Sequence, residues 1–290
     1  MVKLLAGLTP AKINLFLRVV GRRPDGYHLL DSVFLPVSLY DRIRLDIRSS
    51  PGASVAIRCN WPALPTDERN LAVRAAHAFM GEFGLRSQVT IDLEKDIPVG
   101  SGLGGGSSDA GAILRMMARL SRIDDPPRLR KIALAIGADV PFFLDPRPAR
   151  VGGIGELITP LDSIPDLALL ILVPPIEVRT AKIFAELRPE QWSGAAPPAC
   201  TNDLEGRNDY ELSALLVNDL APVAMRYHPE IAKLLDMLKS LGARAAAMSG
   251  SGGAVFGVFD DTEAVAHAAR EAVQRAPAAR VISARTLGKS

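Results

Sequence analysis

The stretch from Pro98 to Leu114, PVGSGLGGGSSDAGAIL, constrains the fold more than any other part of the sequence. It follows QVTIDL, whose alternating apolar residues predict a β-strand, and it leads into apolar residues at helical spacing. Ser107 or Ser108 is available as the N-cap of that helix, with Asp109 in its first turn. The predicted local order is therefore strand, glycine loop, helix.

Such a loop is suited to hold a phosphate group. The start of a helix offers backbone N–H groups without partners and a partial positive charge, and glycines let an anion approach the backbone closely. A flexible linker is the alternative, but linkers are not expected to lie tightly between a strand and a capped helix. We therefore predict an anion site.

Two known phosphate-binding motifs, GxGxxG and the Walker A motif, are alternatives for this loop. Gly100, Gly102 and Gly105 match GxGxxG, and Asp124 and Asp125 lie about 20 residues further on, as in a dinucleotide-binding enzyme. However, the preceding strands, over residues 43–47 and 55–59, predict an antiparallel hairpin, whereas that fingerprint belongs in a parallel βαβ unit. A Walker A loop needs a lysine, and the loop contains none.

Length and patterning predict two domains of α+β type. A chain of 290 residues is long enough for two cores, and residues 146–165 are rich in proline and glycine. We place the first domain at residues 1–155 and the second domain at residues 156–290. The second half alternates strand-like and helical segments.

Composition excludes several classes of function. The 34 basic and 32 acidic residues nearly balance, which argues against an extended nucleic-acid surface. The apolar runs are too short to span a membrane, and the start lacks the pattern of a signal peptide, so a cytoplasmic location is expected. The two cysteines, Cys59 and Cys200, lack the spacing of a metal site, and we predict no resident metal site.

Two ionisable residues are candidates for catalysis. Lys12 opens a predicted strand in TPAKINLFL, and Asp139 follows a helix end in IGADVPFF. Apolar surroundings raise the pKa of a carboxyl group and make it a better base. Lys12 alone is more typical of a surface lysine.

Three separated segments resemble the three motifs of the GHMP small-molecule kinases. They are PAKINLFL, PVGSGLGGGSSDAGA and MSGSGGAVFGVF, in the order of the family. Two more segments, GRRPDGYHLLDSVF and GADVPFFL, are similar to the branch of the family that acts on a cytidine diphosphate derivative. The resemblance spans essentially the whole chain. It implies a ribosomal-protein-S5-like N-terminal domain and a ferredoxin-like C-terminal domain.

The resemblance implies an ATP site. The phosphates of ATP are expected along Pro98, Val99, Gly100, Ser101, Gly102, Leu103, Gly104, Gly105, Gly106, Ser107 and Ser108. A Mg²⁺ ion is expected beside Ser107 or Ser108. Asn70 and Lys95 are expected beside the adenine, with a helix cap and a solvated lysine as the alternatives.

The resemblance also implies the reaction, which is phosphorylation of the C2 hydroxyl of 4-diphosphocytidyl-2-C-methyl-D-erythritol in non-mevalonate isoprenoid synthesis. Asp139 is implied as the base and Lys12 as the cation that holds it ionised. Tyr27 and His28 are implied to read the cytosine ring, while Asn14 and Thr180 are implied to contact the methylerythritol part.

Some residues depart from the family pattern, and other functions stay open. Arg179 stands where a serine is more usual, and the segment Thr201–Leu212 is an insertion of unassigned role. The oligomeric state is not predicted. A mevalonate or homoserine kinase would share the glycine loop but would not need Tyr27 and His28. A nucleotide-dependent oxidoreductase and an RNA-binding module are the more remote alternatives.

Overall fold

The structure, a computed structural model, describes residues 2–162, 164, 166–195 and 213–288. Contacts divide the chain into two units whose segments alternate along the sequence. The first unit contains Met1–Ala11, Leu39–Val99 and Gly104–Pro146, and the second contains Lys12–Ser38, Gly100–Leu103 and Arg147–Ser290. The predicted division at residue 155 would instead place residues 12–38 in the N-terminal domain. The insertion Thr201–Leu212 and Cys200 lie outside the described residues.

The strands of the first unit come from four segments. β1 (Val2–Arg22) pairs with β2 (His28–Ser49), and both long strands also contribute to the second unit. β4 (Ser87–Glu94) pairs antiparallel with the last part of β2, and β3 (Ser54–Cys59) pairs parallel with β4. The predicted β2–β3 hairpin is therefore wrong. The alternating residues identified both strands, but alternation does not specify a partner, and β4 lies between them.

Three helices of the first unit connect these strands and follow them. α1 (Leu71–Phe83) joins β3 to β4 and so allows their parallel pairing. The glycine loop follows this βαβ unit rather than joining its first strand to its helix, as a dinucleotide fingerprint requires. α2 (Gly105–Ser121) and α3 (Pro126–Ile136) come next, and a short 3₁₀ helix, Val140–Leu144, follows Asp139.

The helix ends confirm one prediction and correct another. Asn70 caps α1, because its side chain accepts a hydrogen bond from the amide of Ala72, and Gly84 ends the helix with a φ of 65°. In α2 the residue before the helix is Gly104, not Ser107 or Ser108. Its left-handed backbone, with a φ of 74°, lets the helix begin at Gly105. Asp109 therefore lies beyond the first turn.

The core of the first unit lies between its strands and these helices. Gly111 of α2 packs so closely on the 3₁₀ helix that an added Cβ would lie 2.5 Å from Cβ of Phe143. The surrounding core is apolar, and its central side chains are Leu45, Phe79, Ile91, Ile113 and Met117. This close packing fixes the backbone that immediately follows Asp139.

A buried cluster of three charged groups lies at the end of β4. The ammonium group of Lys95 contacts Asp109 at 2.8 Å and also pairs with Asp41. Asp41 accepts further hydrogen bonds from the amides of Asp96 and Ile97, at 2.6 and 2.8 Å. Asp41 therefore has two backbone donors in addition to the ammonium group of Lys95.

The pKa of Asp109 is consequently high. Burial raises it to about 8, and the nearby charge of Asp41 also raises it, although Lys95 acts in the opposite direction. Oδ1 of Asp109 has no hydrogen-bond partner among the described residues, which agrees with a neutral carboxyl group. Asp109 therefore keeps its proton to a higher pH than an ordinary carboxyl group does.

The second unit contains a four-stranded antiparallel sheet in the order β10–β7–β9–β8. The strands are β7 (Ala168–Val173), β8 (Ala245–Met248), β9 (Val255–Phe259) and β10 (Arg280–Arg285). The helices of this unit include α4 (Thr180–Ala185), α5 (Ala221–Tyr227), α6 (Glu230–Ser240) and α7 (Thr262–Arg275). Read from β7 onward, the strand order is 4-1-3-2. This is the ferredoxin-like arrangement, as predicted.

The remaining strands of the second unit extend the N-terminal part of β2. β5 (Ala149–Gly153) pairs antiparallel with Leu30–Phe34 of β2 and with β6 (Leu157–Pro160). The described part of the chain contains no helix long and apolar enough to cross a membrane.

Replacing Gly111 by alanine should destabilise the protein by about 1–3 kcal/mol, because the new methyl group would overlap Phe143. The same change at Gly81 of α1 is the matched control. An added Cβ at Gly81 would have no atom within 4 Å. Gly81→Ala should therefore stabilise the protein by about 0.5–1 kcal/mol through helix propensity. Urea unfolding of both variants measures the change in the free energy of unfolding. An equal change in Gly111→Ala and Gly81→Ala would contradict the packing argument.

The free energy of unfolding of Asp109→Asn should increase relative to that of the wild type as pH rises from 5 to 8. The folded state binds a proton at Asp109 more tightly than the unfolded state, whose carboxyl has a pKa near 3.8. The wild type therefore loses stability as pH rises towards 8, and the variant does not share this loss.

Asp41→Asn is the control for this prediction. It removes the charge that balances Lys95 and should cost about 3 kcal/mol or more at either pH. Chemical unfolding at pH 5 and pH 8 measures both variants. A difference between Asp109→Asn and wild type that is the same at both pH values would contradict the protonated carboxyl group.

Candidate functional site

Within the second unit, residues 100–103 of the glycine loop lie against the loop between β8 and β9. The amide of Ala254 donates to the carbonyl of Ser101 at 2.8 Å, and Oγ of Ser249 donates to the carbonyl of Gly102 at 3.0 Å. On β1, the amide of Lys12 donates to the carbonyl of Leu103 at 2.9 Å. The second and third family motifs are thus hydrogen-bonded to each other, and the first motif contacts the second.

Gly102 makes this approach possible. Its φ is 81°, and an added Cβ would lie 2.2 Å from the carbonyl oxygen of Ser249. Only glycine combines that left-handed backbone with so close a contact. The two loops therefore meet backbone to backbone.

Lys12 belongs to a buried polar chain of the second unit. Its ammonium group donates to Oδ1 of Asn14 at 2.6 Å and lies 4.5 Å from the centre of the Phe34 ring. Nδ2 of Asn14 donates to Oγ of Ser32 at 3.0 Å, and Ser32 donates to the carbonyl of Phe16. Lys12 is only 3% exposed. The surface-lysine alternative is therefore excluded, and the ammonium group is held in a fixed direction.

The rest of the glycine loop belongs to the first unit. Ser108 is fully buried; it donates to the carbonyl of Pro10 at 2.6 Å and shares a hydrogen bond with Thr9. Ser107 is half-buried at the start of α2, next to the exposed Gly106. The amide of Ser108 donates to the carbonyl of Gly104 at 2.8 Å, whereas the amides of Gly105, Gly106 and Ser107 precede the first hydrogen bond of the helix and can donate to an anion. Pro98 is half-buried and Val99 is exposed.

Asn70 and Lys95 have structural partners in the first unit. The side-chain oxygen of Asn70 caps α1, and its Nδ2 donates to the carbonyl of Pro65 at 3.0 Å. The ammonium of Lys95 is held by Asp41 and Asp109, so Lys95 is not a solvated lysine. An added Cβ on Gly105 would lie 3.1 Å from Nζ of Lys95. The ammonium group of Lys95 therefore packs against Gly105 at the start of α2.

Asp139 is half-buried and immediately precedes the 3₁₀ helix of the first unit. The side chains that follow it, from Val140 to Phe143, are buried. The residues that directly follow Asp139 are therefore apolar and buried.

His28 lies in an aromatic cluster of the second unit. Its ring centre is 5.3 Å from that of Phe184 and 6.0 Å from that of Trp192, which it meets nearly edge-on. Burial lowers the pKa of His28, and the charge of Arg22 lowers it further, so the ring is neutral at pH 7. The neighbouring Tyr27 is 59% exposed. One aromatic ring is thus open to solvent beside a neutral imidazole.

Phe184 and Trp192 were not identified from the sequence. Both lie far along the chain from His28, in segments without a motif of their own. Pairing of aromatic residues across such a distance depends on the tertiary fold. The only local signal was the position of Phe184 four residues after Thr180, on α4.

Thr180 contacts the loop between β8 and β9. Its Oγ1 lies 2.6 Å from Oγ of Ser251, and either hydroxyl can donate. Arg179 precedes α4 and makes no cap hydrogen bond with its side chain. The departure from the family pattern at Arg179 therefore leaves the Thr180 contact intact.

Comparisons with known proteins agree with these motifs. Residues 70–145 match the GHMP kinases N terminal domain, and residues 201–278 match the GHMP kinases C terminal domain. A protein of Citrifermentans bemidjiense named 4-diphosphocytidyl-2-C-methyl-D-erythritol kinase is 39% identical over 265 residues, covering 91% of this chain and 92% of its own. A protein of the same name from Anaeromyxobacter sp. (strain K) is 42% identical, covering 88% of this chain and 80% of its own.

Solved structures agree in fold. A crystal structure titled 4-(cytidine 5'-diphospho)-2C-methyl-D-erythritol kinase is 35% identical, with a TM-score of 0.77, covering 98% of this chain and all of the other. A homoserine kinase of Cytophaga hutchinsonii is 17% identical, with a TM-score of 0.74, covering 98% and 95%, and shows the fold alone. The two-domain α+β fold expected from the sequence is confirmed. The chain belongs to the GHMP kinase family.

Proposed function

We propose that the chain transfers the γ-phosphoryl group of ATP to the C2 hydroxyl of 4-diphosphocytidyl-2-C-methyl-D-erythritol. The observation that carries this proposal is the high identity, over about nine tenths of the chain, to relatives named for this one substrate. The position of the chain in non-mevalonate isoprenoid synthesis, and its location in the cytoplasm, are parts of the same proposal.

The glycine loop is proposed to hold the phosphates of ATP. The amides at the start of α2 and the positive end of its helix dipole favour an anion there. Gly106 offers an exposed backbone without a side chain, and residues 100–103 are fixed by Ser249 and Ala254. Asn70 and Lys95 remain proposed neighbours of the adenine, in addition to their structural contacts.

Ser107 is the better of the two serines for a Mg²⁺ ligand, because the hydroxyl of Ser108 is already hydrogen-bonded to Pro10 and Thr9. Among the described residues, no cluster of three or more His, Cys, Asp or Glu could hold a metal ion. The hydroxyl oxygen of Ser107 suits Mg²⁺, which is often bound by few protein groups together with phosphates and water. When bound, the ion would offset the negative charge of the phosphates.

Asp139 is proposed as the general base. It accepts the proton of the C2 hydroxyl while that oxygen bonds to the γ-phosphorus, and the bond from that phosphorus to the departing ADP oxygen breaks. Lys12 is proposed to stabilise the negative charge that develops on the hydroxyl oxygen. Its fixed direction, set by Asn14 and the Phe34 ring, supports this role because a preorganised charge costs no reorganisation.

Tyr27 and His28 are proposed to bind the cytosine ring. A neutral imidazole has one donor and one acceptor, which matches the mixed donors and acceptors on the Watson–Crick edge of cytosine. The exposed Tyr27 ring can stack on the base. Asn14 and Thr180 remain proposed contacts to the methylerythritol part.

A coupled kinase assay tests the proposed substrate. With ATP held constant, the cytidyl diphosphate substrate should be turned over far faster than mevalonate or homoserine. Faster turnover of either of the other two would replace this proposal by a different GHMP kinase activity.

Asp139→Asn should lower kcat by roughly 10²–10⁴-fold, because the amide cannot accept the hydroxyl proton. Binding of ATP and the melting temperature should stay near the wild-type values. Steady-state kinetics and calorimetry measure these quantities. Asp124→Asn is the control, since Asp124 is an exposed carboxylate in the same unit, and it should leave kcat unchanged. A kcat within a few-fold of wild type for Asp139→Asn would refute the base assignment.

Tyr27→Ala should raise KM for the cytidyl substrate about tenfold, the factor that corresponds to about 1.4 kcal/mol of ring contact. Tyr27→Phe keeps the ring and is the control. In the wild type, KM should rise only at a pH below the ordinary range of histidine, because burial and Arg22 lower the pKa of His28 and its protonation replaces an acceptor by a donor. Unchanged KM for Tyr27→Ala would contradict the stacking role.

A further inference from the structure

One motif of the chain has no role in the function proposed above. The segment Val217–Asp219, within VNDLAPVA, lies beside β1 in the second unit. The amide of Leu17 donates to the carbonyl of Val217 at 2.8 Å, and the amide of Asp219 donates to the carbonyl of Leu17 at 2.9 Å. The segment thus pairs with the same strand that carries Lys12 and Asn14.

Asn218 holds the loop between β8 and β9. Its Nδ2 donates to the carbonyls of Met248 and Gly250, at 2.8 and 2.9 Å, while its Oδ1 accepts from the amide of Leu220 at 2.9 Å. The side chain is 9% exposed, so water replaces these bonds poorly. One amide therefore fixes the backbone on both sides of Ser249.

Ser249 is the residue that contacts the glycine loop. Its hydroxyl donates to the carbonyl of Gly102, and its own carbonyl leaves no room for a side chain there. A change in the path of Met248 to Gly250 would therefore move residues 100–103. Asn218 acts on these residues through Ser249 without touching them itself.

The side chain of Asp219 binds a different part of the second unit from that bound by Asn218. Its Oδ2 accepts from the amides of Val19 and Ser193, at 2.7 and 2.9 Å, and its Oδ1 accepts from the hydroxyl of Ser193. Ser193 directly follows Trp192, whose ring lies edge-on to His28. The carboxylate thus fixes the backbone beside the aromatic cluster.

We propose that Asn218 and Asp219 are two adjacent positioning residues with different targets. Asn218 sets the position of the glycine loop and hence the affinity for ATP. Asp219 sets the position of Trp192 beside His28 and hence the affinity for the cytidyl group. The assignment of the two targets rests on the proposed function, whereas the contacts themselves do not.

The first test is Asn218→Asp. This variant keeps the shape of the side chain and the acceptor for Leu220, but it places a carboxylate oxygen where two carbonyls need a donor. KM for ATP should rise at least tenfold, while KM for the cytidyl substrate should stay within twofold. If this variant does not fold, Asn218→Ser, whose hydroxyl can still donate one hydrogen bond, should show a smaller rise in the same direction.

The second test is Asp219→Asn, which should show the reverse pattern, because the amide replaces one acceptor by a donor facing N–H groups. KM for the cytidyl substrate should rise about fivefold or more, and KM for ATP should stay within twofold. Asp261→Ala is the control for stability alone. Asp261 caps α7 by accepting from the amide of Ala264, so its loss should lower the melting temperature and leave both KM values unchanged.

Direct binding separates this inference from the proposed function. Calorimetric titration with a non-hydrolysable ATP analogue and with CDP needs no turnover. If wild type binds both nucleotides but does not phosphorylate the substrate, the proposed function fails while the two variants still report on positioning. Equal losses of both affinities in both variants, or losses that follow the melting temperature as in Asp261→Ala, would overturn the inference.

Discussion

The structure of the second unit depends on a contact between two backbones. Gly102 and Ser249 approach so closely that no side chain fits at position 102. Around this contact, the hydroxyl of Ser249 and the amide of Ala254 hold residues 100–103, and Asn218 holds the loop that carries Ser249. Residues 100–103 of the glycine loop are thus fixed by hydrogen bonds within the second unit. Preorganisation of this kind lowers the entropic cost of binding and of catalysis.

Buried charges support the same loop within the first unit. Lys95 lies next to Gly105 with Asp41 and Asp109 as partners, and burial raises the pKa of Asp109. Breaking such a cluster on one side leaves an unbalanced buried charge, which is costly. The start of α2 is therefore supported by buried charged groups of the first unit.

Local features of the fold were predictable from the sequence, and long-range pairings were not. Alternation identified β2, β3 and β4, and Asn70 and Gly84 marked the ends of α1, because these signals act over a few residues. Strand partners depend on the whole sheet, so the position of β4 between β2 and β3 was missed. Left-handed Gly104 moved the start of α2 ahead of its serines. The motifs indicated Lys12, His28 and the glycine loop, but not Phe184, Trp192 or the partners of Lys95.

The proposed activity of this GHMP kinase is phosphorylation of one hydroxyl of a cytidyl diphosphate substrate. Mass spectrometry and ³¹P NMR of the product made from ATP and 4-diphosphocytidyl-2-C-methyl-D-erythritol test it most directly. We expect a gain of one phosphoryl group, attached to the oxygen atom on C2. Recovery of unmodified substrate beside intact ATP, or a phosphoryl group on another oxygen, would contradict it.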